Sequence, residues 1–458
     1  MVLTACTPGT GNSSNTANAK PAQLHMLYAT AEADAAAVQA LVPQFKQKLG
    51  VDLVIDTQPY DALQQKVFSE FASGSSFYDI VIVDTPWAPA LVGKLEPLSK
   101  YLADPKLNDV AKTDVADFIP KVFYDTAVYR ADSPIAHYPD STTKPDPSAI
   151  TGKGFDVYGL PIQANALVTA YRKDLFADPK NQAAFQQKYG RPLTVPTTLD
   201  EYQQVATFFT RPQEKLYGTT VMAGVGDWST DDFKSLLAAN GGNGQLVGDN
   251  LSLDFNSPAG VQALTYYRNQ ISSGTVPPGS TAASWDEAAS SFDSGLTAMT
   301  QNYHALALDP KVKGQIGYAV VPKGTGVGPH FGTWMLSINS KSQNKEWAYR
   351  AITWLTAAEQ QLAMTKNQLH PSRVSVYTSV ESQASDPAVA DFYKVLGQSL
   401  AVGVGRARLT NYTEVSHAIA VAVNNAASGK QTPQAALDGA AQEVRRVLTT
   451  AGYKVPGS

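Results

Sequence analysis

The sequence predicts an α/β protein of more than one domain, with mostly parallel sheets flanked by helices and a ligand cleft where two domains meet. Three observations carry this. The 458 residues are enough for two or three domains with proper cores. Residues 24–83 alternate strand, helix, strand, helix, strand, the pattern of a parallel sheet covered on both faces. The stretch 158–176, YGLPIQANALVTAYRKDLF, reads as an extended crossing from one domain into another. Pro161 cannot donate to a ladder, so it belongs at an edge or where the chain enters the strand.

In chain order, residues 24–29 form a first strand. Val38, Leu41, Val42, Phe45 and Leu49 then recur at helical spacing up to Gly50. Residues 51–55 form a second strand, and Leu63, Val67 and Phe71 mark a second helix ended by Gly74. The apolar run 78–83 is a third strand. Ligands of such sheets sit at the carboxyl ends of strands. That selects Thr30 and Glu32 after the first strand, and Asp84, Thr85 and Trp87 after the third. Residues 131–155, rich in Pro, Ser, Thr and Gly, form a long loop that is either a ligand-contacting insertion or a solvated excursion.

Beyond the crossing, Thr198 and Glu201 form a capping box ahead of an amphipathic helix. Tyr217 to Thr219 start a strand, and Asp227 to Asp232 precede a helix. Ser257 and Pro258 open another helix. Residues 285–292 are helical, 296–300 a strand ending in Gln301-Asn302-Tyr303-His304, and 317–321 and 333–338 strands. Ser342 caps a helix carrying Trp347 and Trp354, whose seven-residue separation assigns them to a packed face. The remainder is helical.

The formal net charge of −4 argues against a nucleic-acid backbone as partner. The six histidines have no paired metal-ligand spacing, and no nucleophile elbow or phosphate loop occurs. No cofactor is expected. A two-carboxylate glycosidase has no local signature, and a glycoside-processing enzyme therefore stands as the rival class. Cys6 is the one cysteine, so no intrachain disulfide forms. Leu3-Thr4-Ala5-Cys6 resembles a bacterial lipobox, and residues 7–20 read as a flexible tether. The expectation is a lipid anchor on Cys6, with the sequence beginning inside the signal peptide.

The crossing stretch also carries a family resemblance. Together with YDIVIVDTPWAP, LLAANGGNG, SPAGVQALTYY, GLTAMTQNYH, GYAVVP and GTWMLSIN, in that order, it resembles the extracellular solute-binding proteins of ABC importers, family 1, the sugar-binding group that includes maltose-binding protein. The resemblance implies a periplasmic-binding-protein-like fold of two discontinuous lobes. A tether of 1–21 precedes an N-terminal lobe of 22–165 plus 324–372, and the C-terminal lobe is 166–323 plus 373–458. It implies a non-enzymatic, monomeric receptor outside the cytoplasm. That receptor captures a carbohydrate by hinge closure and hands it to membrane permease subunits.

A sugar site needs aromatic faces and planar polar groups. The residues expected to supply them are Thr30, Glu32, Asp84, Trp87, Gln163, Asn165, Trp228, Asp231, Asn302, Tyr303, His304, Trp334, Arg373 and Tyr412. Asp84, Asp231 and Asp232 alternatively cap helices, and Arg373 alternatively forms a hinge ion pair. Arg406 and Arg408 read as exposed arginines that reach the cleft or dock the transporter. Asn165 replaces the acidic residue that maltose-binding protein has at the hinge. Ala305, by strict spacing, and Ser416 replace its stacking tryptophans, so a linear maltodextrin platform is not reproduced. A binder of a charged solute, such as a peptide or polyamine, is the other alternative.

Overall fold

The computed structural model describes residues 19–30, 35–303, 312, 315–384 and 386–456. Glu32, His304 and Cys6 lie outside the described residues.

A five-stranded sheet organises the first half of the chain. Its strands are β1 (Gln23–Ala29), β2 (Asp52–Gln58), β3 (Ile80–Asp84), β4 (Leu160–Ala166) and a late strand, Phe331–Ile338, in the order β2-β1-β3-late strand-β4. β1 runs parallel to both β2 and β3. β3 is buried at every residue, and this explains its unbroken apolar run. The late strand returns antiparallel between β3 and β4. Helices Val42–Leu49 and Tyr60–Ser73 connect the parallel strands. Each ends on a glycine at positive φ, Gly50 at 63° and Gly74 at 70°, where a Cβ would be strained. The expected single helix over 38–49 is two pieces, Ala35–Gln39 and Val42–Leu49. Pro43 has no N–H to donate back, so it sits in the first turn of the second piece.

A second sheet follows the crossing. It contains β5 (Val168–Arg172), β6 (Met299–Asn302) and β7 (Ile316–Val320), in the order β6-β5-β7, and the late strand Phe331–Ile338 is then β8. β5 is antiparallel to both neighbours. The strand expected at Tyr217 reduces to one parallel bridge between Tyr217 and Thr297. Only Leu167 separates β4 from β5, so one extended run threads from sheet to sheet.

Two apolar cores flank this run. One packs β1, β3 and β8 under helix Lys345–Leu355, with Phe45 and Trp354 in edge contact. The other joins helices Asp227–Ala239, Pro258–Ser272, Tyr412–Ala427 and Pro433–Thr450. A third cluster lies at the crossing. Phe392 and Leu396 of helix Pro387–Val402 meet Ala164 and Phe331 on one side and Val168, Ile316 and Tyr318 on the other.

Local chemistry sets several boundaries. Thr198 and Glu201 form the reciprocal capping box, and Ser257 caps helix Pro258–Ser272 through the Gly260 N–H. Ser342 does not cap the next helix, which begins at Lys345; its hydroxyl donates to Asp79 and accepts the Asn344 N–H. The 131–155 loop is not merely solvated. It contains helix Pro147–Gly152, and Tyr138 stacks on Tyr124 with centroids 4.5 Å apart. No helix among the described residues is long and apolar enough to cross a membrane.

Candidate ligand-binding site

The site forms where the two halves face each other across the crossing. From the five-stranded sheet, Asp84 ends β3 and pairs in register with Trp334 of β8, which pairs with Gln163 of β4. Three neighbours across the ladder therefore present a carboxylate, an indole and an amide. The turn Thr85–Trp87 follows, and Trp87 meets Trp334 edge-to-face at 5.4 Å. Asp84 makes no capping bond to that turn; its Oδ2 instead accepts the Tyr60 hydroxyl at 2.9 Å.

From the other half, helix Asp227–Ala239 places Asp227 and Asp231 four residues apart on one face. Asp231 and Asp232 are thus mid-helix residues and not caps. Helix Tyr412–Ala427 begins beside it, and Ser416, one turn in, donates to Asp227. Trp285 opens a third helix behind a Ser284–Glu287 capping box, and its ring meets Trp228 at 5.3 Å and Tyr303 at 6.5 Å.

Arg406 joins the halves. Its Nη2 donates to Asp231 Oδ2 at 3.1 Å, its Nη1 lies 3.8 Å from Asp84 Oδ1, and its Nε lies 4.0 Å from Asp227 Oδ2. Tyr60 joins them too, donating to Asp84 and standing 3.3 Å from Asp227 Oδ2. Three carboxylates thus surround one guanidinium, with Asp84 and Asp231 buried and Asp227 partly exposed. Burial pushes Asp84 up to about 6 and Asp231 up to about 7, with Arg406 opposing the shift in both. Burial also acts against charge on Arg406, but Asp231 and Asp84 overcome it and hold its pKa well above the ordinary value.

Behind Asp231 lies a positioning layer. Buried Lys234 donates to the Val404 and Gly405 carbonyls, each at 2.6 Å, and to His330 Nδ1 at 3.0 Å. With Nδ1 accepting, the ring proton sits on Nε2, 3.3 Å from Asp231 Oδ1. Burial, reinforced by Lys234 and Arg406, holds His330 well below its usual pKa, so the ring is neutral. Burial brings Lys234 down to about 7. Segment 403–408 is therefore strapped down. Arg408, at its end, donates to the Tyr124, Asp125, Val128 and Ala136 carbonyls.

The structure thus brings together Asp84, Trp87, Gln163, Trp228, Asp231, Tyr303, Trp334 and Tyr412. Asn165 flanks them, accepting the Gly332 N–H at 3.0 Å. Asn302 is a scaffold residue, donating to the Trp285 carbonyl and accepting the Tyr303 N–H. Thr30 is exposed at the end of β1. Arg373 stands apart from the cluster. It is buried against the first half, donating to the Thr113, Asp114 and Thr356 carbonyls, 3.6 Å from Asp117 and over the Phe118 ring. Arg406 and Arg408, read as exposed, are buried. Sequence reasoning left Tyr60, Asp227 and Trp285 out of the site.

The family of the chain follows from comparison. A family model described as bacterial extracellular solute-binding protein matches residues 29–362. The chain belongs to this family. As a solute-binding protein it has curated relatives at low identity. A binding protein of Brucella abortus (strain 2308) is 23% identical over 452 residues, covering 93% of this chain and 97% of its own. The mannitol-binding protein of Pseudomonas aeruginosa is 24% identical over 320 residues, 65% of this chain and 70% of its own. Among solved structures, a solute-binding protein of Agrobacterium radiobacter K84 in complex with ribitol superposes with a TM-score of 0.73 at 26% identity, over 93% of this chain and all of its own. The maltose-bound MalE3 protein of T. maritima gives 0.73 at 22% identity over the same shares. The two-lobe fold of the solute-binding proteins is thereby shown, and the family acts outside the cytoplasm.

Proposed function

We propose that this protein is the substrate-binding component of an ABC sugar importer, and that it captures a carbohydrate or polyol between its lobes. The observation that carries this is the pairing of carboxylates with indole donors. Asp84, Asp227 and Asp231 converge with Trp87, Trp228 and Trp285, whose Nε1–H groups meet no protein acceptor among the described residues. A buried donor left unpaired costs about 1–3 kcal/mol. A hydroxylated ligand supplies acceptors to the indoles and donors to the carboxylates, and its C–H faces match the rings. The ribitol-bound relative and the mannitol-binding protein are in keeping with this.

The mechanism is hinge closure. Tyr60 and Asp84 come from one side, Asp227, Asp231 and Arg406 from the other, so a ligand bridging them favours the closed form. The closed form presents both lobe surfaces to the permease. The lobes divide near residues 165, 323 and 372, as the family resemblance implies. The protein acts as a monomer without catalysis, held to the outer face of the membrane by lipid on Cys6. Mass spectrometry of the membrane fraction tests the anchor, and turnover of chromogenic glycosides tests the absence of catalysis.

A second reading is a cationic solute, favoured by three carboxylates set against one guanidinium. A thermal-shift panel of sugars, alditols, spermidine and short peptides separates the two. A ligand that binds only the folded state raises Tm by mass action. A rise with sugars or alditols supports the carbohydrate reading, and a rise confined to spermidine or peptides replaces it.

A further inference from the structure

We infer that Arg408 is a positioning residue for solute capture: it is the tooth of a clasp that holds the two lobes together, whatever solute the cleft takes. The residue belongs to one lobe and its guanidinium to the other. Its chain neighbours Ala407 and Leu409 are buried in the second core, with helices Asp227–Ala239 and Tyr412–Ala427. Its hydrogen bonds go to backbone carbonyls of the first half. Nη2 donates to Tyr124 at 2.6 Å and to Asp125 at 2.8 Å, and Nη1 donates to Val128 and Ala136, each at 2.9 Å. Tyr124, Val128 and Tyr129 belong to the first core, and the guanidinium lies over the Tyr129 ring, 4.2 Å from its centroid. Tyr124 and Asp125 stand in the last turn of helix Pro120–Ala127, where carbonyls have no partner within the helix. A guanidinium from the opposite lobe therefore caps that helix, and its charge meets the negative end of the helix dipole.

Neighbouring contacts repeat the crossing. Lys121, in the first turn of the same helix, donates to the Gly403 carbonyl, so residues 403–408 lie along the helix from its start to its end. Between those points a Cβ on Gly405 would collide with the Asp125 carboxylate, so the two surfaces touch. Further out, His137 Nε2 of the 131–155 loop stands 3.2 Å from Asp249 Oδ1. Asp249 follows Val247 of the second core and precedes Leu251, which packs against it. That pair is at the surface and adds little, since the Asp249 side chain is 64% exposed. Arg408 is 4% exposed and carries the clasp, as a charged donor shared among carbonyls. The 131–155 loop thus serves to bring Ala136 and His137 to the other lobe. None of these bonds needs a solute. On opening, carbonyls and guanidinium return to water, so the clasp is reversible. It raises the closed population, and a solute that prefers the closed form gains affinity by the same factor.

The test is the distance between lobes, measured on the full chain in solution with no solute added. Helices Tyr60–Ser73 and Tyr412–Ala427 both begin where the lobes touch, through Tyr60 with Asp227 and Gln64 with Thr413. Nitroxide labels at Ser73→Cys and Lys430→Cys, exposed positions at or just beyond their far ends, report the opening by pulsed electron paramagnetic resonance in a Cys6→Ser chain. The wild type shows one dominant short distance. Arg408→Met, which keeps the volume and loses the donors, adds a longer distance and raises the open fraction about five-fold or more. Arg408→Lys, with one ammonium in place of a planar fork, gives an intermediate fraction. Gly405→Val wedges against Asp125 of the other lobe and opens the chain in the same way. A merely structural loss lowers Tm and leaves the distances of the folded molecules in place, with circular dichroism reporting the fold of each sample. Unchanged distances in folded Arg408→Met overturn the inference, and Gly405→Val decides in the same way if Arg408→Met does not fold. A wild type that is mostly open also overturns it. Each of these results leaves the carbohydrate reading intact, because no sugar enters the measurement.

Discussion

Arg406 Nη2 stands 3.1 Å from Asp231 Oδ2, although the two residues are 175 positions apart in the chain. Both side chains are removed from solvent, at 5% and 0% exposure, so the pair is an internal ion pair and not a surface one. Removing one partner of such a pair leaves an uncompensated buried charge, at a cost of about 3–5 kcal/mol. Arg406→Ala is expected to lower Tm and to weaken ligand binding more than a hundred-fold, with carboxylates on both lobes losing their shared cation. Arg406→Lys recovers little of the loss, because one ammonium cannot serve three carboxylates as a planar fork does. Urea melts and titration of the same samples check both effects.

Asp84→Asn isolates binding from folding. It preserves an acceptor for Tyr60 while removing the charge, so stability changes by less than about 1 kcal/mol and affinity falls about 10- to 100-fold. Trp334→Ala behaves differently. Trp334 is 4% exposed and belongs to the first core, so truncation costs about 3–5 kcal/mol of stability as well as affinity. Trp334→Phe keeps most of the core and is the variant on which affinity is best read.

Lys234→Met tests the strap. The ammonium serves the Val404 and Gly405 carbonyls and His330, and methionine fills its volume without those donors. Ligand affinity is expected to fall about ten-fold through a misplaced Arg406. The effect should be absent in an Arg406→Ala background, where the strap has nothing left to position. A double-mutant cycle gives the coupling, and additive losses would show that Lys234 acts elsewhere.

Asp232 predicts a pH dependence. It accepts the Met222 N–H at 3.0 Å and the Tyr267 hydroxyl at 2.9 Å. Burial pushes it up to about 7, above the ordinary carboxylate value of about 4. Between those values the folded protein binds more protons than the unfolded chain, so this group makes stability fall as pH rises from about 4 to about 7. Asp232→Asn removes the titration. The variant should match the wild type near pH 5 and exceed it near pH 8, by on the order of 3 kcal/mol. Thermal melts of both proteins across that range check the crossover.

The first sheet was legible because its signals are local. The apolar run at 78–83 is a strand buried throughout, and Gly50 and Gly74 stop their helices in left-handed geometry. Asp84, Trp87, Trp228 and Trp334, which the structure brings together, were selected because they follow or begin expected strands. Arg406 was read as an exposed arginine, because a buried one has no mark of its own in sequence; its carboxylate partners come from two distant segments, the end of β3 and helix Asp227–Ala239. Tyr60 and Trp285 sit in first helical turns, where an aromatic residue reads as packing. Arg373 was placed in the site for its position after His370-Pro371-Ser372. Its principal partners are backbone carbonyls, which any sequence supplies.

The most direct measurement is a combined thermal-shift and tryptophan-fluorescence titration with D-mannitol, ribitol and D-tagatose. Four tryptophans line the site, so ligand capture must alter their emission as well as raise Tm. The account predicts both changes with at least one of these solutes, at one shared midpoint, and neither change in Arg406→Ala. Unchanged emission and Tm with every sugar and alditol, beside a clear response to spermidine or peptides, would contradict it.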